Sequence, residues 1–140
     1  TAKKPMPANV AFDSNVVLYL LSADAHKAEQ AAQLLSGKGI ISVQVLNEVA
    51  NVMRRKWQMD WDEIEEFLAL VTSVCAVHPL TLAVQQRGLA IARTHQFSLY
   101  DAMIIAVASE AGCDVLYSED MQHGFRLGGL QIRNPFWAQA

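Results

Sequence analysis

The chain has 140 residues, 52% of them apolar and 18% charged, with a net charge of −3. That length suits one domain spanning 1–140 with its own core, and the slight acidity excludes the broad basic face of a tight, sequence-independent nucleic-acid binder. No apolar run reaches the roughly 18 residues of a membrane span.

Residues 1–7, with Pro5 and Pro7, read as a loose leader. Residues 8–12 read as a short buried strand. Asp13, Ser14 and Asn15 then open an apolar helical run over 16–21, with Ser14 expected to cap it, since such side chains accept from free backbone amides. Residues 24–36 form a helix stopped by Gly37 and Gly39. Residues 40–43 are a second strand, after which Val45, Val49 and Val52 recur at helical spacing as far as Trp57. Residues 60–72 are a helix with acids in its first turn, where the dipole favours them. Residues 74–77 read as a third strand, 81–94 as a helix, and 98–111 as another helix. Ser98 and Asp101 of this last helix are arranged like a capping box. Residues 115–117 are a fourth strand, 124–129 a turn region and 130–132 a fifth strand. Short β-branched runs alternating with helices predict a three-layer α/β/α sandwich around a mainly parallel sheet of about five strands.

Cys75 and Cys113 lie beside apolar runs and read as buried free thiols, which fits a reducing, cytoplasmic compartment. Four carboxylates stand out instead. Asp13 and Asp120 trail strands, Glu48 lies one turn into the helix after the second strand, and Asp101 opens an apolar helix. Singly, each has an ordinary structural use as a cap, a solvent-facing acid or a turn residue. In a parallel sheet, however, the carboxyl ends of the strands share one crevice. Acids gathered there repel one another unless a cation is present, and hard oxygen ligands suit Mg²⁺ or Mn²⁺.

Four segments resemble one family. Val10-Ala11-Phe12-Asp13-Ser14-Asn15 is similar to the opening of PIN domains, and Ile41-Ser42 followed by Glu48 to their second acid. Leu99-Tyr100-Asp101-Ala102-Met103-Ile104-Ile105-Ala106 resembles the third motif, and Val115-Leu116-Tyr117-Ser118-Glu119-Asp120 the last. The last motif commonly continues with an aromatic residue, where this chain has Met121. Order, spacing and length resemble VapC-like toxins of toxin–antitoxin pairs over roughly residues 8–134. The resemblance implies an acidic pocket of Asp13, Glu48, Asp101 and Asp120 that cleaves RNA with Mg²⁺ or Mn²⁺. Asp13, Asp101 and Asp120 would hold the metal, and Glu48 would orient or deprotonate the attacking water. Asn15 and Ser118 would support the carboxylates, and Glu119 is the rival of Asp120. The resemblance also implies an antitoxin partner and a homodimer, the latter in keeping with the apolar composition.

Arg54, Arg55 and Lys56 form the densest basic cluster. One reading is phosphate contact, since Arg55 lies seven residues beyond Glu48 on a shared helix face. The favoured reading is cations complementing a helix C-terminus. Trp57 and Trp61 are expected to pack a helical turn or an interface rather than stack on bases. The competing functional class is a catalytically inert PIN-like or receiver-like metal-binding module. A receiver needs a lysine late in the chain, and the last one here is Lys56. A phosphatase of the haloacid-dehalogenase type needs an Asp where Asn15 stands.

Overall fold

The structure, a computed structural model, describes residues 9–137, so the leader expected at 1–7 lies outside the described residues. Six strands form one sheet: β1 (Val10–Phe12), β2 (Ile40–Ser42), β3 (Ala76–His78), β4 (Val115–Tyr117), β5 (Arg126–Leu127) and β6 (Leu130–Arg133). Among the described residues six helices flank it: α1 (Ser14–Leu18, prolonged by a 3₁₀ turn over Tyr19–Leu21), α2 (Ala25–Ser36), α3 (Val43–Arg55), α4 (Trp61–Val74), α5 (Leu82–His95) and α6 (Leu99–Glu110). The strand order is β3-β2-β1-β4-β6-β5, parallel throughout except for the antiparallel β5–β6 pair.

This order positions the site. The chain builds outward from β1 to β2 and β3, then returns to place β4 on the other side of β1. The connections therefore diverge between β1 and β4, and a crevice opens beyond the carboxyl ends of these two strands. The register Ala11–Leu116–Ile132 lines one face of the sheet with buried side chains. On the other face the rings of Phe12 and Tyr117 stack at 6.0 Å. Helix α6 is apolar around its whole circumference, and every residue from Ala102 to Ala108 is buried, as expected of a helix enclosed on all sides.

Three expectations shift. The sheet has six strands because Gly128 and Gly129 make a two-residue hairpin turn, pairing Leu127 with Leu130 inside the supposed turn region. Gly128 adopts φ +59°, the left-handed conformation that glycine enters without steric cost. The third strand starts later than the apolar pattern suggests, because Val74 still belongs to α4 and Cys75 ends it. Asp13, not Ser14, caps α1: its carboxylate accepts the Ser14 amide. Cys75 and Cys113 are buried and unbridged, and burial pushes each thiol up to about 11.

Candidate active site

Asp13 follows β1 directly and is only 3% exposed. Its Oδ1 accepts the Ser14 amide at 2.7 Å and the Ser14 hydroxyl at 3.4 Å. Its Oδ2 accepts the Ser118 hydroxyl at 2.7 Å and the Asn15 side-chain amide at 3.2 Å. Burial pushes the Asp13 pKa up to about 6. The Ser118 and Ser14 donors oppose that rise, and the charges of Glu48 and Asp101 add to it.

Two polar side chains then link Asp13 to its neighbours. The Ser14 hydroxyl donates to Glu48 Oε1 at 3.0 Å, and Gln44 Nε2, one turn earlier on α3, donates to Oε2 at 3.1 Å. The Asn15 amide nitrogen stands between Asp13 Oδ2 and Asp120 Oδ2, 3.2 Å from each. Asp101 sits in the first turn of α6, whose amide at that position donates to the Ser98 hydroxyl at 3.2 Å. Burial raises the Asp101 pKa; Glu48 and Asp120 raise it further, while Ser98 lowers it. Four acids drawn from β1, α3, α6 and the turn after β4 therefore share one electrostatic environment.

That environment is a fit test for a cation. Among the described residues, no three Asp, Glu, His or Cys side chains stand close enough to form a ready-made metal cage. Ser14 and Asn15 instead space the carboxylates apart, as polar groups do between like charges. The donor chemistry nevertheless fits a hard divalent ion. The acids contribute carboxylate oxygens, and burial, with smaller contributions from the charges of Glu48 and Asp101, raises the Asp13 pKa, so a nearby cation would favour its ionised form.

Glu119 and Asp120 are adjacent in sequence but differ in placement. Asp120 faces Asn15, whereas the Glu119 carboxylate accepts from the Tyr19 hydroxyl and forms an ion pair with Lys27 at 3.1 Å. Only the Glu119 backbone amide addresses the acid group, donating to Asn15 Oδ1 at 3.1 Å. Ser118 is fully buried, and its oxygen also accepts the Met121 amide at 3.1 Å. Met121 is itself buried, so an apolar side chain fills the position after the acid. Arg54 is occupied locally: it donates to the Met59 carbonyl at 3.0 Å, and its guanidinium lies 4.8 Å from the Trp61 ring centroid. Arg55 is exposed at the end of α3.

Sequence reasoning missed Gln44, Tyr19 and Lys27. Gln44 carried a usable signal, since a residue four positions before an acid on one helix lies beside it. Tyr19 and Lys27 meet Glu119 across about a hundred residues of chain, and no local pattern announces that. A groove of about 800 Å³ elsewhere in the fold has none of the four acids in its wall. It is lined by residues such as Val10, Leu34, Ile40 and Ala76. The acid group is recognised by its chemistry rather than by volume.

A family model for the PIN domain matches residues 10–125. The chain belongs to the PIN domain family. No curated protein matches it significantly by sequence. Solved structures share the PIN fold. The VapC20 toxin of Mycobacterium tuberculosis, described as cleaving the sarcin-ricin loop, superposes with a TM-score of 0.67 at 19% identity. That match covers 80% of this chain and 90% of the toxin. A toxin–antitoxin complex from Klebsiella pneumoniae gives 0.70 at 21% identity, covering 91% and 98%. DNA-bound VapBC from Salmonella typhimurium gives 0.63 at 18% identity, with the same coverages. Among the described residues, no helix is long and apolar enough to cross a membrane.

Proposed function

We propose that this PIN domain is a metal-dependent endoribonuclease and the toxin of a toxin–antitoxin pair. The observation that carries the reading is the convergence of Asp13, Glu48, Asp101 and Asp120 at the β1–β4 crevice, with Asp13 buried and its pKa raised to about 6. Asp13, Asp101 and Asp120 would hold Mg²⁺ or Mn²⁺. When bound, such an ion lowers the pKa of a water and offsets the charge of a phosphodiester.

The chain's own residues do the rest. Ser14 and Gln44 hold the two oxygens of Glu48, fixing the plane of a carboxylate suited to orienting a water or taking its proton. Ser118 and Asn15 hold Asp13 in one rotamer, so its lone pairs are aimed before substrate arrives. Arg55, exposed in the last turn of the Glu48 helix, is available for phosphate contact, whereas Arg54 serves the α3–α4 turn. The toxin assignment rests on the fold shared with toxin–antitoxin proteins, which also suggests an antitoxin partner; a homodimer and a cytoplasmic location belong to the same proposal. Exposed Trp57, Trp61 and Leu70 supply apolar surface for such assembly.

The test is sequencing of RNA ends after expression of the wild-type chain or Asp13→Asn, paired with cleavage assays in Mn²⁺ or EDTA. New 5′ ends restricted to the wild type, and cleavage abolished by EDTA, are expected. Equal cleavage by both proteins, or cleavage indifferent to EDTA, would refute the reading. The inert-module alternative predicts no cleavage by either.

A further inference from the structure

Beside the acid group lies a polar cluster that the proposed chemistry does not use. Lys27 Nζ, on α2, donates to Glu119 Oε2 and to the Tyr19 hydroxyl, each at 3.1 Å. The Tyr19 hydroxyl donates to the other Glu119 oxygen. The ammonium lies 4.5 Å from the Tyr19 ring centroid and 5.6 Å from that of Phe136, and these two rings meet edge-on at 4.8 Å. Both oxygens of Glu119 are thus occupied by Tyr19 and Lys27, while its backbone amide is bonded to Asn15, the residue that touches Asp13 and Asp120.

This geometry constrains the turn from Ser118 to Met121 at three points. Ser118 ties its start to Asp13, Asn15 ties its middle and Asp120, and Lys27 with Tyr19 ties the Glu119 side chain. Released from Lys27 and Tyr19, Glu119 would be a fifth carboxylate next to four others, free to compete with Asp120 for the Asn15 amide. An ion pair on one residue of a tight turn fixes where its neighbour points, because successive side chains share one backbone path.

We propose that Lys27 and Tyr19 are positioning residues: by holding Glu119 outward they fix the turn after β4 and set the place of Asp120 in the acid group. The consequence for metal and catalysis rests on the ribonuclease reading; the constraint on the turn does not.

The experiment compares wild type, Lys27→Met and Lys27→Arg. Methionine keeps the stem over the rings and removes the cation, whereas arginine preserves the ion pair. The first readout is site-resolved hydrogen exchange of the Glu119 and Met121 amides without metal. The second is Mn²⁺ affinity by calorimetry. The third is kcat and KM on an RNA substrate. In Lys27→Met the two amides are expected to exchange faster while the sheet amides of β1 and β4 are unchanged. Mn²⁺ affinity and kcat are expected to fall about tenfold, the lower range for losing a residue that orients a metal ligand, with KM nearly constant. Lys27→Arg should restore all three. Three results would overturn the proposal: unchanged exchange at Glu119 and Met121, faster exchange spread evenly through the fold, or a rise confined to KM, which would mark Lys27 as an RNA contact. A wild-type protein that neither binds Mn²⁺ nor cuts RNA would defeat the ribonuclease reading instead, and the exchange data would still decide the role of Lys27.

Discussion

Asp13 and Asp120 lie on either side of one Asn15 amide, yet the first is buried beneath hydroxyl and amide donors and the second faces solvent. The inner half of the acid group, Asp13 with Ser14, Ser118 and Glu48, is a closed hydrogen-bonded set. The outer half, Asp101 and Asp120, has fewer donors, Ser98 beside the first and Asn15 on the second. Burial of a carboxylate without a cation is costly, and the protein places that cost on the residue with the most donors. The inner half sets the frame; the outer half presents its carboxylates to whatever binds.

The largest test of that contrast is substitution of the acids. Asp13→Asn is expected to reduce RNA cleavage by at least about 10²-fold, the lower range for losing an essential proton-handling or charge-bearing group. Asp120→Asn should cost only about tenfold, because Asp120 is exposed and water can take the place of its oxygen. Single-turnover rates measure both, and an Asp120→Asn defect as large as that of Asp13→Asn would erase the distinction.

Next in size is a pH effect on stability. The folded pKa of Asp13 is raised from 3.8 to about 6, so the native state binds the extra proton across that interval. Metal-free stability therefore falls as pH rises from about 4 to 6, by up to about 3 kcal/mol from this one group. Urea denaturation of wild type and Asp13→Asn should diverge in that window, with the variant gaining relative stability as pH increases. Parallel curves would mean that Asp13 is not the inner, desolvated acid.

Ser118→Ala removes a fully buried donor from Asp13. It should destabilise the fold by about 1–3 kcal/mol at neutral pH and move the acidic limb of the cleavage profile upward. Gln44→Ala, which frees one oxygen of the half-buried Glu48, should cost no more than about 1 kcal/mol and leave that limb in place. Reversal of this order would place the rigid centre of the site on α3 rather than on β1.

Much of the architecture was legible because the relevant signals are local. Alternation of short apolar strands with helices predicted the α/β/α sandwich, and strand-end acids predicted where Asp13 and Asp120 stand. Hairpin β5–β6 escaped because Arg126–Leu127 is a two-residue strand, too short for periodicity to register. Ser14 was misread as a cap because Asp13 and Ser14 have equal local claims, and only the tertiary position of Glu48 decides between them. The separation of Asp120 from Glu119 depends on Lys27 and Tyr19 reaching across the fold, which no spacing encodes.

Asn15 bonds Asp120 and the Glu119 amide across more than a hundred positions of chain. Its two contacts form only when β4 has paired beside β1, among the most non-local events in this fold. During synthesis, every carboxylate except Asp120 is already present on the emerging chain before the site can assemble. The late arrival of β4 thus acts as a timer: whatever this site does, it begins only after synthesis has passed Asp120.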